Sequence, residues 1–292
     1  MRRSIHFVPG GNQKMFSKAL SLPADSLILD LEDSVTPQNK QSARIEVCEW
    51  LSSADFGGRE KLVRMNPIDS EWGRSDLEAI IACKPDGIVV PKVLDFKSVN
   101  AVSEVIKSKE TEAGLEEGAI SLLLIGTEVA GAVFNLPTMA THPRVDGLTW
   151  GAEDLSASLG ARAKRDEHGN YLEVFSFVRS MCLLAAVAAR VQPIDAVYTD
   201  IKNSKGLQSE CKTAADMGYT GKITIHPDQI EIVNEAFTPS KQEIDEATEL
   251  LAAFDEHQSS GKMAFSFKGS MVDVPHLKRA KQILAIATKI SG

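Results

Sequence analysis

An α/β fold, a (β/α)8 TIM barrel with a C-terminal helical arm, is what this sequence predicts, and three observations carry the prediction. Eight short apolar runs bounded by turn or charged residues alternate with longer helical patterns, the signature of repeated parallel βα units. Most of the runs are rich in Ile, Leu and Val at consecutive positions, as strands covered on both faces require. The 292 residues exceed the roughly 250 of a typical barrel by enough for one appendage.

Taken in order, Ser4–Val8 reads as the first strand because Pro9-Gly10 stops it, and Lys14–Leu20 as its helix. Leu27–Leu31 and Gln38–Leu51 form the second unit. Lys61–Met65, stopped by Asn66-Pro67, leads to a helix at Asp76–Ala82, and Gly87–Val90, stopped by Pro91, leads to Phe96–Lys107. Ile120–Ile125 with Val129–Ala140 and Val145–Trp150 with Leu172–Val191 follow. Ala196–Tyr198 with Gly206–Met217 and Lys222–Ile225 with Pro227–Phe237 complete a catalytic domain over residues 1–238. Residues 239–292 exceed what eight units need. A helical pattern runs to about His257, then Ser259-Ser260-Gly261, a strand-like Ala264–Phe267 and a last helix from about Pro275 to Ile290. Two readings fit this tail: an arm hinged at the Gly-Ser segment that packs on a neighbouring subunit, or a simple capping pair of helices.

Composition narrows the function. Thirty-two Lys+Arg against 40 Asp+Glu give −8, so no overall electrostatic pull toward nucleic acid or anionic lipid exists, and any anion must be held by local groups. Aromatics at 6% and basic residues scattered among acids give no nucleic-acid surface. The longest strongly apolar stretch, Met181–Ala189, is too short for a membrane span. Cys48, Cys83, Cys182 and Cys211 lie too far apart for a CxxC motif, and the first apolar run is too short for a signal peptide. A cytoplasmic protein is expected, or a mitochondrial-matrix one only after loss of a presequence. GxSxG, GxxxxGK[ST] and GxGxxG are all missing, so serine hydrolase, P-loop and classical dinucleotide-binding readings lack their defining elements.

What remains is a set of polar groups where strands end, the place a barrel puts its chemistry. The second strand ends Asp30-Leu31-Glu32-Asp33, the third Arg64-Met65-Asn66, the fourth Pro91-Lys92, the fifth Gly126-Thr127-Glu128 and the sixth Gly151-Ala152-Glu153-Asp154. Carboxylates gathered this way repel one another, and a divalent cation makes their ionised forms compatible. The histidines show no HxxxH spacing, so a hard, oxygen-ligated ion such as Mg²⁺ fits better than zinc, with Glu128 and Asp154 as first-choice ligands; a solvated acidic rim is the bland alternative. Arg64 suits bidentate grip of a carboxylate or oxyanion, or else pairs with Asp30 or Glu32. Lys92 could serve as a Schiff-base nucleophile, but ion pairing suits it better beside metal-site carboxylates.

Read together, Arg3 to Gly10, Leu29-Asp30-Leu31-Glu32-Asp33-Ser34-Val35, Val63-Arg64-Met65-Asn66, Pro91-Lys92, Thr127-Glu128, Gly151 to Leu155, Gly218 to Ile230 and Phe265 to Asp273 resemble the citrate lyase β-subunit-like family, of the HpcH/HpaI aldolase type, along nearly the whole chain. The tail and the Gly151–Ala161 stretch look most like its citramalyl-CoA lyase branch. The resemblance implies a homotrimer whose arm reaches a neighbour's site, and Mg²⁺-dependent cleavage of a 3-hydroxy-3-carboxyalkyl-CoA thioester, with Mn²⁺ able to substitute. It implies metal ligation by Glu128 and Asp154, substrate grip by Arg64, and acid catalysis by Asp273, with Asp33 in a supporting catalytic role. Phe7, standing where a tyrosine is often found, packs beside the substrate. Lys14 and Lys18, on one face of the first helix, meet CoA phosphates, and Ile225 and His226 contact the rest of the CoA. A citrate lyase β subunit acting on citryl-acyl carrier protein and a non-catalytic CoA-binding regulator are the alternatives.

Overall fold

The computed structural model describes residues 1–259 and 263–291, and the chain divides into two compact units, residues 2–234 and 235–292. Ser260 and Gly261 of the expected hinge lie outside the described residues. In the larger unit β1 (Ser4–Pro9), β2 (Ser26–Asp30), β3 (Glu60–Arg64), β4 (Gly87–Val90), β5 (Ser121–Ile125), β6 (Val145–Thr149), β7 (Gln192–Asp195) and β8 (Gly221–Thr224) pair in chain order as a closed parallel barrel. Parallel neighbours need long crossovers, and helices supply them. These are α1 (Gln13–Ala19), α2 (Lys40–Ser53), α3 (Gly73–Ala82), α4 (Phe96–Glu112), α5 (Leu136–Ala140), α6 (Ala152–Leu159) with α7 (Glu173–Ala189), α8 (Ser204–Met217) and α9 (Ile230–Ala236). The expected eight-stranded α/β barrel is therefore the fold observed, and β1 closes it on β8 with Ile5 opposite Ile223.

Three details differ from expectation. The seventh strand is Gln192–Asp195, not Ala196–Tyr198. Pro193 and an acid disguise it, and it is a strand because buried Asp195 is neutralised by Lys222 and Arg179. The helix α6 directly after the sixth strand was not expected; left-handed Gly160 ends it. The expected helix Val129–Ala140 splits into a 3-10 turn, Ala130–Asn135, and α5, with Pro137 in the first turn of α5.

The barrel lumen is filled by Ile5, Ile28, Leu62, Val89, Leu123, Ile125, Ile194 and Ile223, each worth roughly 1.5–3 kcal/mol by its removal from water. β6 contributes Gly147 at this layer, where an added Cβ would stand 2.8 Å from Leu123. Arg2 pairs at 2.6 Å with both Glu60 and Asp146, which commits the strand-start end to structural ion pairs and leaves the strand-finish end for chemistry. Among the described residues no helix is long and apolar enough to cross a membrane.

His6 on β1 gives the barrel a pH-dependent stability. It is buried, with Nδ1 3.0 Å from Thr224 Oγ1. Burial, aided by nearby His226, pushes its pKa down from 6.5 to about 4. The unfolded chain thus takes up a proton that the folded chain refuses. This contribution is complete above pH 6.5 and is lost as pH falls toward 4, about 3 kcal/mol in all. Urea unfolding at pH 7 and pH 4.5 should show the loss, and a His6→Asn variant should flatten it.

The smaller unit contains α10 (Lys241–Ser259), the antiparallel pair β9 (Phe265–Phe267) and β10 (Ser270–Val272), and α11 (Val274–Ser291). Only the first strand of this hairpin was expected. Lys268 and Gly269 both take positive φ, 48° and 84°, the conformation that a tight two-residue hairpin demands. Phe254, Phe265 and Val272 form its small core, with Leu250 and Leu277 against it.

Candidate active site

Strand register assembles the first half of the site. Pro9 lies opposite Asp30, and Asp30 opposite Arg64, so the last residues of β1, β2 and β3 stand side by side. Arg64 grips Asp30 with two parallel bonds, Nε to Oδ1 and Nη2 to Oδ2, both 2.7 Å. The amides of Glu32 and Ser34 donate to the same carboxylate. Burial would raise the Asp30 pKa, but Arg64 outweighs it and holds the group below the usual carboxylate range. Asp30 is thus saturated by donors. The remaining nitrogen of Arg64, Nη1, stands 2.9 Å from Glu32 Oε2 and 3.7 Å from Asp33 Oδ2, and its guanidinium lies over the Phe7 ring at 4.6 Å. The expected pairing of Arg64 with Asp30 and Glu32 is observed, and the residue also lines the cavity described below.

The loops after β4, β5 and β6 supply the second half. Glu128 is 4% exposed, and its Oε2 accepts the Lys92 amide at 2.6 Å. Burial first, then the charges of Glu32 and Asp154, push its pKa up to about 8. Gly151 is required beside it, because a Cβ there would stand 2.7 Å from Glu128 Cγ. The Gly151 amide also donates to the Thr127 hydroxyl, tying the two loops together. Asp154 sits in the first turn of α6. Lys92 Nζ lies 2.6 Å from Glu32 Oε1, 3.3 Å from Asp33 Oδ1 and 3.5 Å from Asp154 Oδ1. Burial lowers its pKa, but Glu32 outweighs that and raises it, which favours the ammonium form that ion pairing uses over the free amine that a Schiff base needs.

These groups open on one cavity of about 410 Å³. Asp30, Asp33, Arg64, Glu128 and Asp154 line it together with Phe7, Ile125, Trp150, Val197, Ile223 and Ile225. The apolar members other than Phe7 and Ile225 were not singled out from sequence; their signal was position at or just past a strand end. Lys14 and Lys18 are exposed and four apart on α1, while Met15 between them reaches the cavity lining. His226 follows β8, and its Nδ1 accepts the Asp228 amide at 3.3 Å. It does not line this cavity. Asp273 lies in the smaller unit, between β10 and α11, with Oδ1 2.7 Å from His276 Nδ1.

The donors fit a hard divalent cation. Mg²⁺ characteristically takes one or two carboxylates and keeps several waters. Glu128 and Asp154 offer two carboxylates, although among the described residues no three acidic, His or Cys groups converge as a closed metal cage would. Glu128 is buried beside the like charges of Glu32 and Asp154, a setting in which a bound cation would favour its ionised form.

A family model described as HpcH/HpaI aldolase/citrate lyase matches residues 3–227. The (3S)-malyl-CoA thioesterase of Cereibacter sphaeroides is 36% identical over 290 residues, 99% of this chain and 96% of that protein. The mitochondrial citramalyl-CoA lyase of Mus musculus is 36% identical over 298 residues, 99% of this chain and 87% of that protein. Among solved structures, the CitE protein of Mycobacterium tuberculosis in complex with magnesium, acetoacetate and coenzyme A superposes with a TM-score of 0.80 at 33% identity, covering 98% of this chain and 97% of that one.

Proposed function

The chain belongs to the HpcH/HpaI aldolase/citrate lyase family and is an enzyme of that type, and from this premise we propose that it is a Mg²⁺-dependent carbon–carbon lyase cleaving citramalyl-CoA to acetyl-CoA and pyruvate. One observation carries the choice of substrate: the carboxylates of Glu128 and Asp154 and the guanidinium of Arg64 share a cavity with an apolar wall of Ile125, Trp150, Val197 and Ile223. The charged side suits a hydroxy acid head. The apolar wall suits the methyl group that distinguishes citramalyl from malyl, a difference worth roughly 10–200-fold in discrimination.

Glu128 and Asp154 would hold a divalent cation, which would supply Lewis-acid polarisation of the substrate's oxygens. The chain's own residues do the remaining work. Arg64, locked by Asp30, presents Nη1 as a fixed donor to the oxygen that gains charge as the bond breaks and its electron pair moves into the thioester. Asp33, beside that nitrogen, orients it. The hydroxyl proton leaves to solvent as that oxygen becomes the ketone of pyruvate, and Asp273, protonated beforehand, gives a proton to the carbon of the acetyl group. We assign residues 239–292 to an arm that packs on a neighbouring subunit of a homotrimer, the context in which Asp273 would act. Lys14, Lys18, Ile225 and His226 receive the CoA, and Phe7 packs beside the substrate.

A panel of citramalyl-, malyl- and β-methylmalyl-CoA, assayed with Mg²⁺ and with chelator, tests the reading. Acetyl-CoA and pyruvate should form from citramalyl-CoA only with the metal. Free CoA with an intact hydroxy acid would make the protein a thioesterase, activity confined to citryl-acyl carrier protein would make it a citrate lyase β subunit, and stoichiometric binding without turnover would make it a regulator. Asp273→Asn should cost about 10²–10⁴ in cleavage rate and suppress proton exchange at the acetyl-CoA methyl while sparing CoA binding. Near-normal exchange would remove Asp273 from that role.

A further inference from the structure

Lys92 follows Pro91 at the end of β4 and adopts a left-handed backbone with φ of 51°, a conformation unfavourable for any residue with a Cβ. The turn aims two atoms of one residue into the same site. Its amide N–H donates to Glu128 Oε2 at 2.6 Å. Its ammonium stands among Glu32, Asp33 and Asp154, at 2.6, 3.3 and 3.5 Å. The strained turn thus joins the amide that meets Glu128 to the side chain that meets Asp154 in a single residue.

We infer that Lys92 sets the affinity of this site for a divalent cation through two opposed effects: its left-handed amide holds Glu128 ready for the ion, and its ammonium competes with the ion for Asp154. The inference rests on the reading of Glu128 and Asp154 as metal ligands. Lys92 is a positioning residue in this scheme, acting through those two carboxylates. Before a cation arrives, the ammonium keeps three acids compatible in a small space. Once the ion is present, the same positive charge repels it, so the protein gives up affinity for a site that is assembled beforehand.

The test uses the full-length protein and Mn²⁺ alone, with free ion measured by its electron paramagnetic resonance signal. Wild type should bind, and Glu128→Gln should not. Lys92→Met and Lys92→Gly both remove the ammonium while allowing the left-handed amide, glycine without steric penalty. Each should bind Mn²⁺ about tenfold more tightly than wild type, the effect of one positive charge ~6 Å from a doubly charged ion in a water-like dielectric. Damage to the fold cannot produce a gain in affinity. Lys92→Val carries the same charge as Lys92→Met but resists positive φ, and it should bind several-fold more weakly than Lys92→Met. If wild type binds and Glu128→Gln does not, yet the Met and Gly variants bind no more tightly than wild type, the competing role of the ammonium is overturned and the metal site stands. Equal binding by Val and Met variants overturns the amide's role. If wild type itself binds no Mn²⁺, the ligand assignment fails and this inference fails with it.

Discussion

Glu128→Gln should lower kcat/KM by at least about a thousandfold and abolish the response to added Mg²⁺, with the circular dichroism spectrum unchanged. The magnitude follows from the size of electrostatic stabilisation in a water-excluded site, where removal of one fixed donor alone costs about 10²–10³. The substitution is clean because glutamine keeps the shape and can still accept the Lys92 amide bond of 2.6 Å. What disappears is the negative charge. Glu128 is the buried member of the pair, 4% exposed, whereas the Asp154 side chain is one-third exposed, so water can take over more of the role of Asp154. Asp154→Asn should accordingly be the milder change. A Mg²⁺ titration of both variants, with chelator as the baseline, checks the order. Retained activity of Glu128→Gln in chelator would remove the cation from the mechanism.

The polar half of this site was legible in the sequence because it obeys a topological rule. Strand ends converge, and Asp30, Arg64, Lys92, Glu128 and Asp154 each stand at or just past one. The register that makes Asp30 a bidentate partner of Arg64 was not legible. It depends on which residues of β2 and β3 lie opposite each other, and the apolar pattern fixes that only to within a residue or two. The backbone of Lys92 was hidden for a different reason, since a left-handed lysine leaves no compositional mark of the kind a glycine leaves. The seventh strand failed on chemistry. Gln192-Pro193-Ile194-Asp195 reads as a turn until the cations that neutralise Asp195 are brought from Arg179 and Lys222, one 16 and the other 27 residues away. Local pattern carries no information about partners so distant. The same blindness hid Trp150 and Val197 as cavity walls, because an apolar residue past a strand end looks like any other core residue.

Asp195→Asn should destabilise the protein by about 3–5 kcal/mol, the typical result of removing one partner from a buried ion pair. Asp195 and Lys222 are both fully buried. Burial raises the Asp195 pKa, but Lys222 and Arg179 outweigh it and bring the carboxyl to about 2, so it is ionised at neutral pH. Its Oδ2 lies 2.7 Å from Lys222 Nζ and 2.8 Å from Arg179 Nη2, while Oδ1 accepts the Trp150 indole N–H at 2.8 Å. Glu210 completes the cluster, 2.9 Å from Lys222 and 2.6 Å from Arg165. Asparagine preserves the shape and an acceptor for Trp150, yet leaves Arg179, Lys222 and Arg165 facing Glu210 alone. The surplus cation then determines the next step. Lys222→Met should destabilise wild type, where it deprives two carboxylates of a partner, but should stabilise Asp195→Asn, where it removes the excess charge. Urea unfolding of the four proteins gives this double-mutant cycle, and its test is the sign. Additive effects would mean that the cluster is not electrostatically coupled. Because Trp150 is a wall of the candidate cavity, loss of its fixed acceptor should also appear in function: Asp195→Ala, which removes that acceptor, should raise KM for the proposed thioester substrate more than Asp195→Asn does, even at temperatures where both remain folded.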